Sequence, residues 1–173
     1  QTCALPIFIG NNYAYHSFDY NTGKAGPAFD PSHPINDSRN NTGLRALPPA
    51  QPAFIWYPYD RANDFPSMGS GSRTAMAGPT YYSDLYPSAT RYPSYFDGKV
   101  LIYEWMRSFM KFVTMDKEGN YVRMEPFMPS VKWKGAIDVE LGPDGRLYVL
   151  EYGLGWFTKN PDAGLVRIDY IKK

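Results

Sequence analysis

Short apolar runs, each closed by glycine, proline, asparagine or aspartate, fill the chain from residue 52 onward. They are PAFIWYPY (52–59), TAMAGPTYY (74–82), KVLIYEW (99–105), MKFVTMD (110–116), YVRMEPF (121–127), IDVEL (137–141), RLYVLEY (146–152) and GLVRIDY (164–170). Their length, their β-branched and aromatic content and the turn residues between them predict strands. RSF and KEGN read as hairpin connections, and GPDG (142–145) is a tight turn with proline at its first central position. The terminal prolines of 52–59 suit an edge strand, because proline offers no ladder donor. Several runs are continuously apolar rather than alternating, the pattern of strands covered on both faces.

Two of these strands nearly repeat each other. DGKVLIYEW begins at Asp97 and DGRLYVLEY at Asp144, an offset of 144 − 97 = 47 residues. Asp97/Asp144, Gly98/Gly145 and Glu104/Glu151 are identical, and the six other pairs keep their chemical character. One unit therefore runs through strands 74–82, 99–105, 110–116 and 121–127; the next runs through 137–141, 146–152 and 164–170. Matching Asp116 to Asp169 as the ends of the third strands gives a 53-residue offset and a longer second loop, 153–163, in the later unit. A period near 40–50 residues with up to four antiparallel strands is the pattern of β-propeller blades. The expected fold is all-β: an outer strand at 52–59, a complete blade at 74–131 and a final, incomplete blade at 132–171. Propellers usually close with four to eight blades, so the chain reads as a fragment whose partners include missing blades of the same polypeptide.

The first half is different. Residues 8–50 carry Asn, Asp, Gly and Pro throughout, with no sustained period of 2 or 3.6, and predict a long irregular segment anchored by Tyr13, Tyr15, Phe18 and Phe29. A Gly/Ser-rich loop follows at 60–73. The opening QTCALPI is what CAG ACG TGT GCT CTT CCG ATC encodes, the end of a common short-read sequencing adapter. Residues 1–7 are therefore read as foreign and set aside from the fold; the alternative is a native segment, and the parent DNA decides between them.

Composition narrows the classes. Aromatic residues make up 17%, with 15 Tyr and 4 Trp, and 15 Gly plus 16 Pro favour a turn-rich β protein over a helical one. Net charge is +1 with no basic run, which removes the electrostatic case for nucleic acid. No apolar run approaches the ~18 residues of a membrane span. Cys3 is the single cysteine, so an internal disulfide and a thiolate metal site are both excluded.

NNTGL…LPPAQPAFIWYPY, GSGSRTAMAGPTYY, YFDGKVLIYEWMR, AIDVELGPDGRLYVLEYG and NPDAGLVRIDY together resemble the C-terminal half of glucose/sorbosone dehydrogenase-like proteins. The resemblance covers about residues 8–171 and is nearest to large secreted bacterial proteins in which a PKD-type domain often follows the propeller. It implies a six-bladed propeller, a periplasmic or extracellular location, and oxidation of a sugar hydroxyl or aldehyde by hydride transfer to pyrroloquinoline quinone (PQQ). A calcium ion polarises the quinone and a histidine acts as base. The family's base follows a Gly-Asp-His motif in an early blade that has no match here; His16 and His33 both sit in the irregular segment. The family's calcium-facing Glu-x-Gly-Pro loop is matched by Glu151-Tyr152-Gly153, with Leu154 in place of proline. The backbone of Gly153 is the candidate metal contact.

Other candidates come from residue chemistry. Arg73 and Arg107 have the planar fork that binds a carboxylate or quinone oxygen, against ordinary interblade ion pairs as the alternative. Glu104 and Glu151, at equivalent strand ends, are candidates for sugar hydroxyls or a cation; their repetition favours a carboxylate that caps backbone N–H groups in each unit. Trp105, Tyr152, Trp156 and Phe157 offer a stacking platform for a sugar ring, or core filling between sheets. Asp30, Asn36, Asp37 and Asn40 supply hard oxygens for calcium or satisfy Asx-turns. Asn36-Asp37-Ser38 and Asn40-Asn41-Thr42 fit the glycosylation sequon. The competing functions are a sugar dehydrogenase-like propeller and a propeller that only binds carbohydrate or a protein partner.

Overall fold

The computed structural model describes residues 9–10 and 16–171. The adapter-like residues 1–7 with Cys3, and the anchors Tyr13 and Tyr15, lie outside the described residues. Among the described residues the chain is mostly β, with no α-helix and three one-turn 3-10 segments. Its strands are β1 (Ile9–Gly10), β2 (His16–Asp19), β3 (Lys24–Ala28), β4 (Ile55–Trp56), β5 (Ala75–Thr80), β6 (Val100–Glu104), β7 (Phe109–Met115), β8 (Tyr121–Phe127), β9 (Ala136–Leu141), β10 (Leu147–Glu151) and β11 (Gly164–Ile168).

Two meanders dominate. β5-β6-β7-β8 form a four-stranded antiparallel sheet, and β9-β10-β11 a three-stranded one in the same sequential order. The aligned strands β6 and β10 are thus second strands of two separate sheets. Their hairpin registers equate Val113 with Ile168 and Phe109 with Gly164, an offset of 168 − 113 = 55 residues. This corrects the 53-residue match of Asp116 to Asp169, because the aspartates lie beyond the paired residues.

The sheets stack with the same face always turned the same way. Leu101, Tyr103, Met110 and Phe112 of the four-stranded sheet pack against Ala136, Val139, Leu147, Val149 and Ile168 of the three-stranded one. On the other face of the four-stranded sheet, Val100, Ile102 and Val113 pack against Ile55, Tyr57, Ala62, Phe65 and Met68. Val100 aligns with Leu147 and Ile102 with Val149, so each sheet turns the same face toward what precedes it in the chain. This is a head-to-tail arrangement. β6 is buried on both sides, as its unbroken apolar run requires; each such side chain contributes roughly 1.5–3 kcal/mol when fully buried. β10 alternates instead, because the outer face of its sheet carries the exposed Asp138, Glu140, Leu150 and Leu165. The first strands, β5 and β9, lie side by side.

The N-terminal segment is less irregular than its sequence suggests. β2 and β3 pair as a hairpin, with His16 opposite Ala28 and Asp19 opposite Lys24. Asp19 Oδ1 accepts from the Asn21 and Thr22 N–H groups, and Gly23 turns the chain at φ +67°. Both faces of this hairpin are largely exposed, so no hydrophobic alternation marks it. The edge strand expected over 52–59 shrinks to β4, which pairs in parallel with β1; Pro52 and Pro58 stand outside it for want of an N–H.

Candidate functional site

The functional candidates gather at one end of the two sheets, where β6 and β10 each finish in a glutamate. Glu104 is 2% exposed and accepts from the Tyr57 hydroxyl at 3.1 Å, the Arg107 N–H at 2.7 Å and the Thr74 N–H. Thr74 leads directly into β5. Glu151, also buried, accepts from the Lys134 N–H at 2.7 Å, just before β9. In each sheet the carboxylate at the end of the second strand holds the chain entering the first. Burial, and next the Glu104 charge, push the Tyr57 phenol well above its ordinary value, which keeps it a hydrogen-bond donor to that carboxylate.

Arg107 sits directly after this turn. Its Nε donates to the Ser72 carbonyl, Nη1 to those of Met68 and Gly69, and Nη2 to those of Pro58 and Gly71, at 2.8–3.1 Å. The guanidinium also lies 4.6 Å from the centroid of the Tyr57 ring. A guanidinium has five N–H donors, and here all five are engaged by carbonyls of Pro58 and the Gly/Ser-rich loop. Arg73 donates to the Tyr57 carbonyl and stacks 4.7 Å from the Tyr59 centroid. Arg107 thus has no donor to spare for a quinone oxygen, and Arg73 lies against the residues that lead into its loop.

The aromatic candidates do come together. The Trp105 ring lies 5.2 Å from Tyr152 and 5.3 Å from Trp156, and Trp156 lies 4.7 Å from Phe157, centroid to centroid. Trp105 leaves β6 and the others lie in the β10–β11 loop, so the cluster bridges both sheets. Trp156 is 58% exposed and Phe157 83%. Gly135 makes room for the indole: a Cβ there would stand 2.7 Å from Trp105 Nε1.

Residues not foreseen from the sequence hold this loop. Asn160 Oδ1 accepts from the Gly155 N–H, while its Nδ2 donates to the Tyr152 and Gly155 carbonyls. Asp162 Oδ2 accepts from the Leu154 N–H. The Asn-Pro-Asp-Ala-Gly stretch was the available signal, since Asx residues beside proline organise turns. So pinned, Phe157 takes φ +52°, a left-handed conformation costing roughly 1–2 kcal/mol for a non-glycine residue. Gly153, at φ +100°, donates its N–H to the Lys134 carbonyl.

The remaining candidates are dispersed in the N-terminal segment. His16 Nδ1 contacts the Gly26 carbonyl, and His33 pairs with Asp30. Asp30 and Asn36 accept from the N–H groups two residues on, and Asp37 pairs with Arg45 at 2.7 Å. These are Asx-turns and an ion pair. Among the described residues no three His, Cys, Asp or Glu side chains group in a way that would hold a metal ion, and no helix is long and apolar enough to cross a membrane.

Comparison of the chain with family models, with curated proteins and with solved structures returned no match.

Proposed function

We propose that this chain forms two neighbouring blades of a sugar-handling β-propeller, and that Trp156 and Phe157, backed by Trp105, are where a sugar ring rests. The observation that carries the reading is the exposed aromatic surface itself, 58% and 83% exposed at its two outer rings, on a loop whose backbone Asn160 ties together. Flat apolar rings with a polar rim suit the C–H faces of a pyranose. Head-to-tail stacking of similar sheets supports the propeller, because a repeated heterologous contact builds a ring when its rotation closes.

In the intact protein the family resemblance extends this reading to oxidation of a sugar hydroxyl or aldehyde with PQQ and calcium, at a periplasmic or extracellular location. We assign that chemistry to residues outside this chain, since Arg107 is saturated and neither histidine adjoins the aromatic cluster. Binding without catalysis is the second reading, favoured by that same saturation.

Titration of mono- and oligosaccharides, followed by tryptophan fluorescence and calorimetry, tests the platform. Trp156→Ala is expected to weaken binding about tenfold, the loss of one stacking ring, with the melting temperature almost unchanged because the side chain is exposed. No binding of any aldose or oligosaccharide by the wild-type chain would end the reading. The isolated chain supplied with PQQ, calcium, aldoses and an artificial electron acceptor is expected not to turn over; sustained oxidation would refute the assignment of catalysis elsewhere.

A further inference from the structure

The aromatic surface has a rim of one charge. Lys132, Lys134 and Lys159 stand around it, and all three are exposed. Lys134 is fastened beside the rings by its main chain: its N–H donates to Glu151 and its carbonyl accepts from the Gly153 N–H. The next residue, Gly135, accepts from the Tyr152 N–H and lies against Trp105 Nε1. Lys132 adjoins Trp133, whose carbonyl accepts from the Ser108 hydroxyl in the turn that follows Trp105. Lys159 comes two residues after Phe157, between Thr158 and Asn160, whose side chains bond one another.

The acids at this end are already committed. Glu104 and Glu151 are buried and accept from backbone N–H groups, and Asp162 accepts from the Leu154 N–H. Asp60 and Asp64 belong to the loop whose Ala62 and Phe65 pack on the far face of the four-stranded sheet. Asp138 and Glu140 lie on the outer face of the three-stranded one. Several cations of the same sheets are matched, Lys99 by Glu125 and Arg146 by Asp144 and Asp169. Lys132, Lys134 and Lys159 make no ion pair or side-chain hydrogen bond among the described residues.

We infer that this rim selects anionic sugars: a pyranose bearing a carboxylate or sulfate at its edge rests on Trp156 and Phe157, and the three lysines supply the positive charge that meets it. This rests on the aromatic platform proposed above and names the class of sugar the platform takes. Such a ring keeps its apolar C–H faces for stacking and carries its charge at the periphery, where the platform carries its own. Lysine suits the task, because a compact charge on a flexible stem with three rotatable donors follows an anion whose position shifts as the ring settles.

Trigalacturonic acid and its methyl ester share one backbone and differ in charge, so the pair isolates the lysines. Calorimetry at low ionic strength is expected to show the acid bound about tenfold tighter than the ester, the combined effect of exposed charge pairs that are individually weak. The advantage is expected to shrink toward parity near ~1 M salt, where the Debye length falls to about 3 Å. Lys134→Gln combined with Lys159→Gln is expected to bind acid and ester alike, at an unchanged melting temperature because both side chains are exposed. A sulfated galactose trisaccharide is the second anionic probe: affinity near that of the uronate assigns the rim to anionic sugars as a class, and affinity near that of the ester narrows it to carboxylates. Equal affinity for acid and ester in the wild type, or an undiminished preference in the double variant, would overturn the inference and leave the platform standing. Acid binding that survives Trp156→Ala intact would place the anion away from the rings and overturn it as well. Failure of every sugar to bind removes the platform, and this inference with it.

Discussion

Glu104→Ala is expected to be among the most damaging single changes in this chain, lowering stability by about 3–5 kcal/mol. The carboxylate is 2% exposed and serves three donors from three segments: Tyr57 before the Gly/Ser-rich loop, Thr74 at the entrance to β5, and Arg107 beyond β6. Alanine leaves the buried Tyr57 hydroxyl and the part-buried Thr74 and Arg107 N–H groups without this acceptor, and the cost falls on the unpaired groups rather than on the lost side chain. Against a typical total of 5–15 kcal/mol, that removes much of the margin. Urea denaturation reads it as a large drop in midpoint at unchanged slope. Glu151→Ala is the internal control, since Glu151 accepts a single backbone bond among the described residues, from Lys134; about 1–3 kcal/mol is expected. Equal losses from the two variants would show that the capping bonds do not set the stability of this end of the sheets.

Arg107→Lys is expected to cost about 2–4 kcal/mol even though charge is retained. Lysine has three donors on a flexible stem and cannot reach the carbonyls of Pro58, Met68, Gly69, Gly71 and Ser72 together. The loop from Pro58 to Ser72 would lose its common anchor, and with it the seat of Tyr57, Phe65 and Met68 against the four-stranded sheet. Limited proteolysis is the sharper measurement: cleavage between Met68 and Arg73 is expected to appear in the variant well below its melting temperature. A variant as resistant as the wild type would mean that the apolar contacts of Phe65 and Met68 alone hold the loop.

These two residues also mark how far the chain could be read without coordinates. The type and order of the main strands were legible, because apolar runs bounded by Gly-, Pro- and Asp-rich turns have few alternatives. The repeat was legible for the same reason: Asp97-Gly98 and Asp144-Gly145 open equivalent turns, and Glu104 and Glu151 close equivalent strands. The β2–β3 hairpin was not, since pairing between main chains with both faces wet leaves no hydrophobic period. Arg107 reads in sequence as a fork free to hold an anion. Its saturation depends on five carbonyls that lie 35–49 residues away, and no local pattern records that.

Local chemistry alone therefore determined that this chain makes short strands in repeated antiparallel order, with a glutamate at the end of each second strand. Tertiary structure decided which faces meet and which polar groups are consumed in doing so. Strand formation depends on neighbours within a few positions, whereas satisfying a buried donor or exposing an indole depends on whatever the fold brings beside it. Trp105, Tyr152, Trp156 and Phe157 were four aromatic residues on two separate stretches until the stacking of the sheets drew them into one surface.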